Sequence, residues 1–321
     1  MQETEQALKG LTGKILKGVG GLYSVRTDGE SPETVTCRAR GVFRHQHKEP
    51  LPGDTVILLP DEHADSSAKD GGAYVIDDII DRRSALIRPP MANLDYLFVT
   101  MAAASPVPIL TTVDKLIAIA EHNGIEPIIV ITKRELASAY ADELESIYKT
   151  AGFTVFSLSA VRDENVSPLE SFIESELRNG KIAAFAGASG IGKSTLMNRL
   201  FPHLELSTLE ISRKIQRGRH TTRQVELFPL SEDADCGYLA DTPGFSMLDF
   251  ERFDFFDKED LPCAMREFVP LIGECRYTKC SHTKEEGCAI LTAVKEGRIP
   301  PSRHASYVEI YDVLKKKKKW N

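Results

Sequence analysis

At 321 residues the chain is longer than one ordinary hydrophobic core organises, which points to two or three domains. Its composition is that of a soluble globular protein, and a net charge of −7 excludes a whole-chain signature of nucleic-acid binding, leaving such contacts to local basic faces. No stretch approaches the roughly 20 apolar residues of a membrane span, and the polar start lacks a signal-peptide pattern, so neither secretion nor a membrane partner is expected.

Between about residues 11 and 83, short β-rich runs at 23–27, 35–39, 55–59 and 74–80 alternate with turns such as Pro52-Gly53-Asp54 and Asp70-Gly71-Gly72. That spacing predicts a small barrel of the OB type. From Asp95 the pattern changes to an apolar run at 96–101, a helix at 113–123, a run at 127–131, a long helix at 135–152, a run at 153–156 and a helix at 168–179. Alternation of this kind predicts an α/β fold with a mostly parallel sheet. A further run at 181–186 leads into a glycine loop and a helix, and another strand is expected at 236–240. Beyond Phe250 the chain becomes cysteine-bearing and ends in a lysine tract.

Gly187-Ala188-Ser189-Gly190-Ile191-Gly192-Lys193-Ser194, followed by Thr195, matches the phosphate-loop pattern GxxxxGK[ST] between a strand and a helix. Glycines let backbone N–H groups turn inward around a phosphate, and the helix beginning near Lys193 aims its N-terminus at the same anion. Lys193 is expected on the β/γ oxygens and Ser194 on Mg²⁺. About fifty residues downstream, Asp241-Thr242-Pro243-Gly244 follows a predicted strand, where the second magnesium-side acid and a γ-phosphate-sensing N–H belong. Between the two motifs, residues 217–222 form a basic stretch suited to a switch. Either Thr221 or Thr222 would close on the metal, and His220 is a candidate for orienting the attacking water, since Phe245 occupies the place where many GTPases carry a glutamine. Slow intrinsic turnover, accelerated by a partner, is the corresponding expectation.

No base-reading motif follows Asp241. Upstream, however, Thr132-Lys133-Arg134-Glu135 and Ser157-Leu158-Ser159-Ala160 each close an apolar run, where base recognition belongs. Ser159 and Ala160 would form the second base loop. The motif order is therefore circularly permuted. In this order, and in Gly124-Ile125-Glu126-Pro127, the glycine loop, residues 217–222 and Asp241-Thr242-Pro243-Gly244-Phe245, the chain resembles the circularly permuted ribosome-associated GTPases called RsgA, YjeQ or YloQ. Where that family carries Asn-Lys-x-Asp, Thr132 lacks the carboxamide and Glu135 holds its carboxylate on a longer arm, which predicts a weakened preference for guanine.

Three of the six cysteines lie near the C-terminus, while Cys37, Cys236 and Cys263 are scattered, as suits a metal site in a reducing, cytoplasmic compartment. Cys275, Cys280, His282 and Cys288 offer a closed set of four soft ligands for one structural zinc, and the same spacing occurs in the family resembled. Cys263 is expected to be a buried free thiol. Arg38, Arg40, Arg44, His45, His47 and Lys48, with Tyr23 and Phe43, are compatible with RNA contact on the barrel.

The expected organisation is an OB-type barrel over 1–84, a circularly permuted P-loop GTPase domain over 85–250 and a zinc-binding segment over 251–321. The resemblance implies a monomeric GTPase that converts GTP to GDP and phosphate late in maturation of the small ribosomal subunit. That subunit and its rRNA would be its partners and would stimulate turnover. An RNA-binding switch with little hydrolysis, and an NTPase of relaxed base specificity, are the alternative readings.

Overall fold

The computed structural model describes residues 10–45, 49–61, 74–87, 89–202, 204, 225–241 and 257–316, with the side chains of residues 44, 45 and 241 excepted. Contacts divide the chain into one unit of Met1–Leu94, Ser175–Ala184 and Lys214–Pro243, and a second of Asp95–Glu174, Phe185–Arg213 and Gly244–Asn321. No helix among the described residues is long and apolar enough to cross a membrane.

In the first unit, strands β1 (Leu11–Val19), β2 (Leu22–Thr27), β3 (Thr34–Ala39), β4 (Thr55–Pro60) and β5 (Tyr74–Ile79) close a barrel in the order β1-β2-β3-β5-β4. The predicted runs at 23–27, 35–39, 55–59 and 74–80 match four of these strands, because inward side chains alternate along a strand, as Val56 and Leu58 do on β4. Ile15, Val25, Cys37, Val56, Leu58 and Ile76 are fully buried at its centre. A short helix, α1 (Val42–His45), adds Phe43 to this core. Phe43, expected on an RNA-facing surface, thus has its ring inside, and Tyr23 is also buried. Apolar burial explains both placements.

The Pro52-Gly53-Asp54 turn needs its glycine, since φ there is +92° and a Cβ would sit 2.0 Å from the Ala92 carbonyl. Asp54 is fully buried, accepts from Leu51 N at 2.7 Å and pairs with Arg82 at 2.7 Å. The hairpin β6 (Ala85–Ile87) and β7 (Pro90–Ala92) follows. Later in the chain, β12 (Glu226–Pro229) runs antiparallel to β13 (Tyr238–Asp241), which runs parallel to β11 (Ile182–Ala186). Arg26 of β2 is buried and donates to the Ser231, Glu232 and Asp233 carbonyls at 3.2, 2.8 and 3.1 Å, and to Cys236 Sγ at 2.7 Å.

In the second unit, β8 (Leu94–Ala102), β9 (Glu126–Thr132) and β10 (Thr154–Ser157) run parallel. Leu97, Phe98, Val99, Ile128, Ile129 and Val130 are all buried, as strands covered on both faces require. Helices α2 (Leu110–His122), α3 (Ser138–Thr150), α4 (Ser167–Glu176) and α5 (Lys193–Leu200) alternate with the strands. The helix expected to begin at residue 135 begins at Ser138 instead. Lys133 adopts the left-handed conformation (φ 57°), and Arg134–Leu136 form a 3₁₀ turn before the α-helix can start.

The C-terminal part of this unit has 3₁₀ turns at Leu261–Ala264 and Val269–Leu271, then α6 (Ala289–Lys295) and α7 (Pro301–Lys316). Arg303 of α7 is fully buried and donates to Asp114 of α2 at 2.6 Å and to Glu267 at 2.7 Å. Arg266 holds Glu121 at 2.5 Å and Glu126 at 2.9 Å, with its guanidinium 4.4 Å from the centre of the Phe153 ring. The Gly-Ile-Glu-Pro segment therefore supplies, through Glu126, an anchor for the C-terminal region.

Candidate functional site

Three segments meet at the C-terminal ends of β9, β10 and β11. The glycine loop leaves β11 at Gly187, whose φ is +149° and where a Cβ would lie 2.3 Å from the Thr100 carbonyl oxygen. Gly190 and Gly192 also have positive φ, at +79° and +91°. Such a run of glycines lets successive N–H groups converge. Gly192 directly precedes α5, which begins at Lys193 and buries Leu196 and Met197. Lys193, Ser194 and Thr195 thus occupy its first turn.

The segment at the end of β9 packs on this loop. Thr132 is buried, with Oγ 2.5 Å from the Ile191 carbonyl and 3.1 Å from the Met101 carbonyl. Lys133 Nζ donates to the Gly190 carbonyl at 2.7 Å and to the Ser105 carbonyl at 2.5 Å. Arg134 donates to Ser157 Oγ at 2.9 Å and to Asp142 at 2.6 Å, so its guanidinium bridges the β9 and β10 loops. Among the described residues, Glu135 Oε2 is a buried side-chain oxygen left without a hydrogen-bond partner. Ser159 is fully buried and fixed by reciprocal backbone bonds with Glu164 at 3.0 and 3.1 Å, while its Oγ accepts from Arg162 N at 3.1 Å. Ala160 follows in the same turn. Arg199 of α5 donates to Asp163 at 2.9 Å and Glu170 at 2.8 Å, bracing this turn from the helix behind the glycine loop.

Motif spacing did not reveal Ser105 or Arg199, and it marked Ser157 only as the start of the second base loop, without its contact to Arg134. Their contributions, a backbone carbonyl, a hydroxyl acceptor and a long-range brace, leave no pattern in sequence. His220, Thr221, Thr222 and Gly244 lie outside the described residues, as do His47 and Lys48, and of Asp241 only the backbone, at the end of β13, is described.

Cys275, Cys280, His282 and Cys288 place their ligand atoms within 4.8 Å of one another. His282 Nδ1 is 3.5 Å from the sulfurs of both Cys275 and Cys288, which are 3.8 Å apart. Around one tetrahedral ion with ordinary zinc bond lengths, sulfur–nitrogen and sulfur–sulfur separations are about 3.5 and about 3.8 Å. The donor set therefore fits one metal ion. Burial, with the neighbouring thiols, pushes the Cys280 thiol up to about 12, so it ionises only against a compensating cation. Burial also lowers His282, favouring the neutral ring that a metal needs.

Outside the donors, His304 Nε2 donates to the His282 carbonyl at 2.8 Å and Tyr307 to the Ser281 carbonyl at 2.8 Å. Against the effect of burial, hydrogen bonds from the Ser281 hydroxyl and from the backbone of Lys284 and Ser281 hold the Glu285 carboxyl down at about 2. Cys263, expected to be buried, is exposed, because only Leu261 and Ala264 of its 3₁₀ turn face inward.

The loops that close β9 and β10 precede the glycine loop of β11 in the chain, which is the order of a circularly permuted P-loop GTPase. The family described as RsgA GTPase matches residues 79–251, and the RsgA N-terminal domain matches residues 12–67. The chain belongs to the RsgA GTPase family and is a GTP-hydrolysing enzyme of that class. It is 37% identical over 310 residues to the small ribosomal subunit biogenesis GTPase RsgA of Alkaliphilus metalliredigens, covering 96% of this chain and 99% of the relative. It is 38% identical over 303 residues to the protein of the same name from Ruminiclostridium cellulolyticum, covering 94% and 93%. Among solved structures, YjeQ from Thermotoga maritima superposes with a TM-score of 0.77 at 28% identity, over 96% of this chain and 99% of that one. YloQ, described as a circularly permuted GTPase, superposes at 0.74 with 30% identity over 97% and 96%.

Proposed function

We propose that this GTPase acts in biogenesis of the small ribosomal subunit in the cytoplasm, as a monomer that reads guanine with Glu135. In this reading residues 187–194 cradle the phosphates, with Lys193 on the β/γ oxygens and Ser194 and Asp241 on the magnesium side. The Ser159–Ala160 turn closes the base site, and the Cys275, Cys280, His282 and Cys288 set holds zinc. Residues 1–84, 85–250 and 251–321 act as RNA-binding barrel, GTPase domain and zinc-binding domain. When bound, magnesium supplies charge neutralisation at the phosphates. His220, beside Thr221 and Thr222, is assigned to orienting water, and the subunit is expected to stimulate turnover by ordering that segment.

The observation that carries the reading is the unpartnered Glu135 oxygen. A buried acceptor without a donor is costly, and a guanine edge, with its N1–H and exocyclic amine, supplies donors. Adenine presents an acceptor at N1 and would face the carboxylate with a lone pair. The longer arm of Glu135 is therefore compatible with guanine selection despite the departure from the family pattern. Glu135→Gln is expected to reduce GTP affinity about 10- to 100-fold, the worth of charged hydrogen bonds, and to admit xanthosine triphosphate, whose 2-oxo group accepts from an amide. Nucleotide competition on the wild type and the variant measures this. Equal competition by ATP and GTP on the wild type would instead favour an NTPase of relaxed base specificity.

A further inference from the structure

Arg134 stands directly before Glu135, and its side chain is engaged entirely by protein groups. The guanidinium donates to Ser157 Oγ at 2.9 Å and to Asp142 at 2.6 Å, with Glu145 at 3.5 Å. Ser157 closes β10, while Asp142 and Glu145 stand on α3, so one planar fork joins a strand end to a helix. Ser157 is itself held from the far side, Asn165 Nδ2 donating to its carbonyl at 3.2 Å. The backbone of Arg134 opens the 3₁₀ turn Arg134–Leu136, whose middle residue is Glu135. Main-chain bonds hold this turn through Arg134 N to the Leu158 carbonyl at 3.3 Å, Leu136 N to the Lys133 carbonyl at 3.0 Å and Ala137 N to the Arg134 carbonyl at 3.2 Å. Hydrogen-bond geometry in a 3₁₀ turn is poorer than in an α-helix, which gives a side-chain tie across it more to do. A glutamate also has one more rotatable bond than an aspartate, so the position of its carboxylate depends more heavily on how the backbone beneath it is fixed. Two carboxylates face the single guanidinium, which leaves it no net positive field to offer a purine.

We propose that Arg134 is a positioning residue for guanine recognition: by tying the turn that carries Glu135 to Ser157 and to α3, it sets the carboxylate where the guanine N1–H and 2-amino group meet it. This rests on the reading of Glu135 as the guanine acceptor. Specificity then belongs to two neighbouring side chains with divided roles, Glu135 touching the base and Arg134 touching protein alone.

The test compares Arg134→Met, which keeps the stem and loses the fork, with Arg134→Lys, which keeps the charge. Calorimetry on the full chain measures binding of GDP, of inosine diphosphate, which lacks the 2-amino group, and of inorganic tripolyphosphate. Arg134→Met should weaken GDP about five- to tenfold, inosine diphosphate by less and tripolyphosphate not at all, so that the GDP to inosine diphosphate preference falls. Arg134→Lys should resemble Arg134→Met, because one ammonium cannot hold Ser157 and Asp142 together. Ser157→Ala should lower the preference in the same direction, and combined with Arg134→Met it should add nothing further, as expected of partners in one contact. Equal weakening of all three ligands, an unchanged preference in Arg134→Met, a wild-type preference in Arg134→Lys, or full additivity with Ser157→Ala would each overturn the proposal. Glu135→Gln separates it from the reading beneath it. If that variant keeps the wild-type preference, the assignment of Glu135 fails and the proposal with it; if the preference falls there but not in Arg134→Met, the proposal alone fails.

Discussion

In the barrel, Ile15, Val25, Cys37, Val56, Leu58 and Ile76 fill the centre, with no charged side chain among them. Between residues 257 and 316 the interior instead holds Arg303, ion-paired to Asp114 and Glu267, and a cluster of three cysteines and a histidine. Five strands closed on themselves bury alternate side chains from every strand and need no other staple. Residues 257–316, built from 3₁₀ turns and two helices, bury Met265, Phe268, Ile290 and Ile310 and add to them buried ion pairs and a cluster of soft ligand side chains. The same chain thus contains one region whose stability is diffuse and one in which it is concentrated in a few groups.

The sharpest way to break this contrast is to deprive the cysteine–histidine cluster of the zinc proposed for it. Chelation, or Cys280→Ser, should abolish amide-exchange protection across residues 275–288 while the barrel strands keep theirs, because such sites contribute on the order of 10 kcal/mol in small zinc domains. Protection unchanged in metal-free protein, checked by elemental analysis, would place the stabilisation elsewhere.

Replacing Arg303 by Met should cost about 3–5 kcal/mol in denaturant unfolding, since it strands the buried carboxylates of Asp114 and Glu267. The loss should depend on pH in a known direction. Burial already raises Asp114 against the pull of Arg303, and without the guanidinium the carboxyl rises further. The folded variant then binds a proton more tightly than the unfolded chain, so its deficit should shrink as pH falls from neutral toward the ordinary carboxylate range near about 4. A deficit that grows on acidification would contradict this assignment. At the small end, Ile15→Val in the barrel should cost about 0.5–1.5 kcal/mol with no effect on metal content.

The contrast also explains what was legible in the sequence. Alternation along β4 and the continuous apolar runs of β8 and β9 are local signals, and the predicted strands coincide with them. The glycine loop and the cysteine spacing are likewise local. Contacts between distant residues were not legible. Nothing near Arg303 in sequence announces Asp114, 189 positions away, and nothing near Thr132 announces the Ile191 carbonyl. The late start of α3 was missed because the left-handed Lys133 is dictated by packing against the glycine loop, where its amine meets Gly190, rather than by its own propensity. The burial of Phe43 was missed because a short helix, not a strand, carries it.

Arg26 has an evolutionary consequence of another kind. Three of its four acceptors are main-chain carbonyls, at Ser231, Glu232 and Asp233, and these would be present whatever side chains stood there. Recognition of this sort is blind to the letters it grips. The tip of the β12–β13 hairpin is therefore free to drift in sequence as long as its backbone path is kept, while the single arginine that grasps it is not. Mutational scanning should find Glu232 permissive and Arg26 intolerant even of Lys, whose single ammonium cannot span three carbonyls and a sulfur at once.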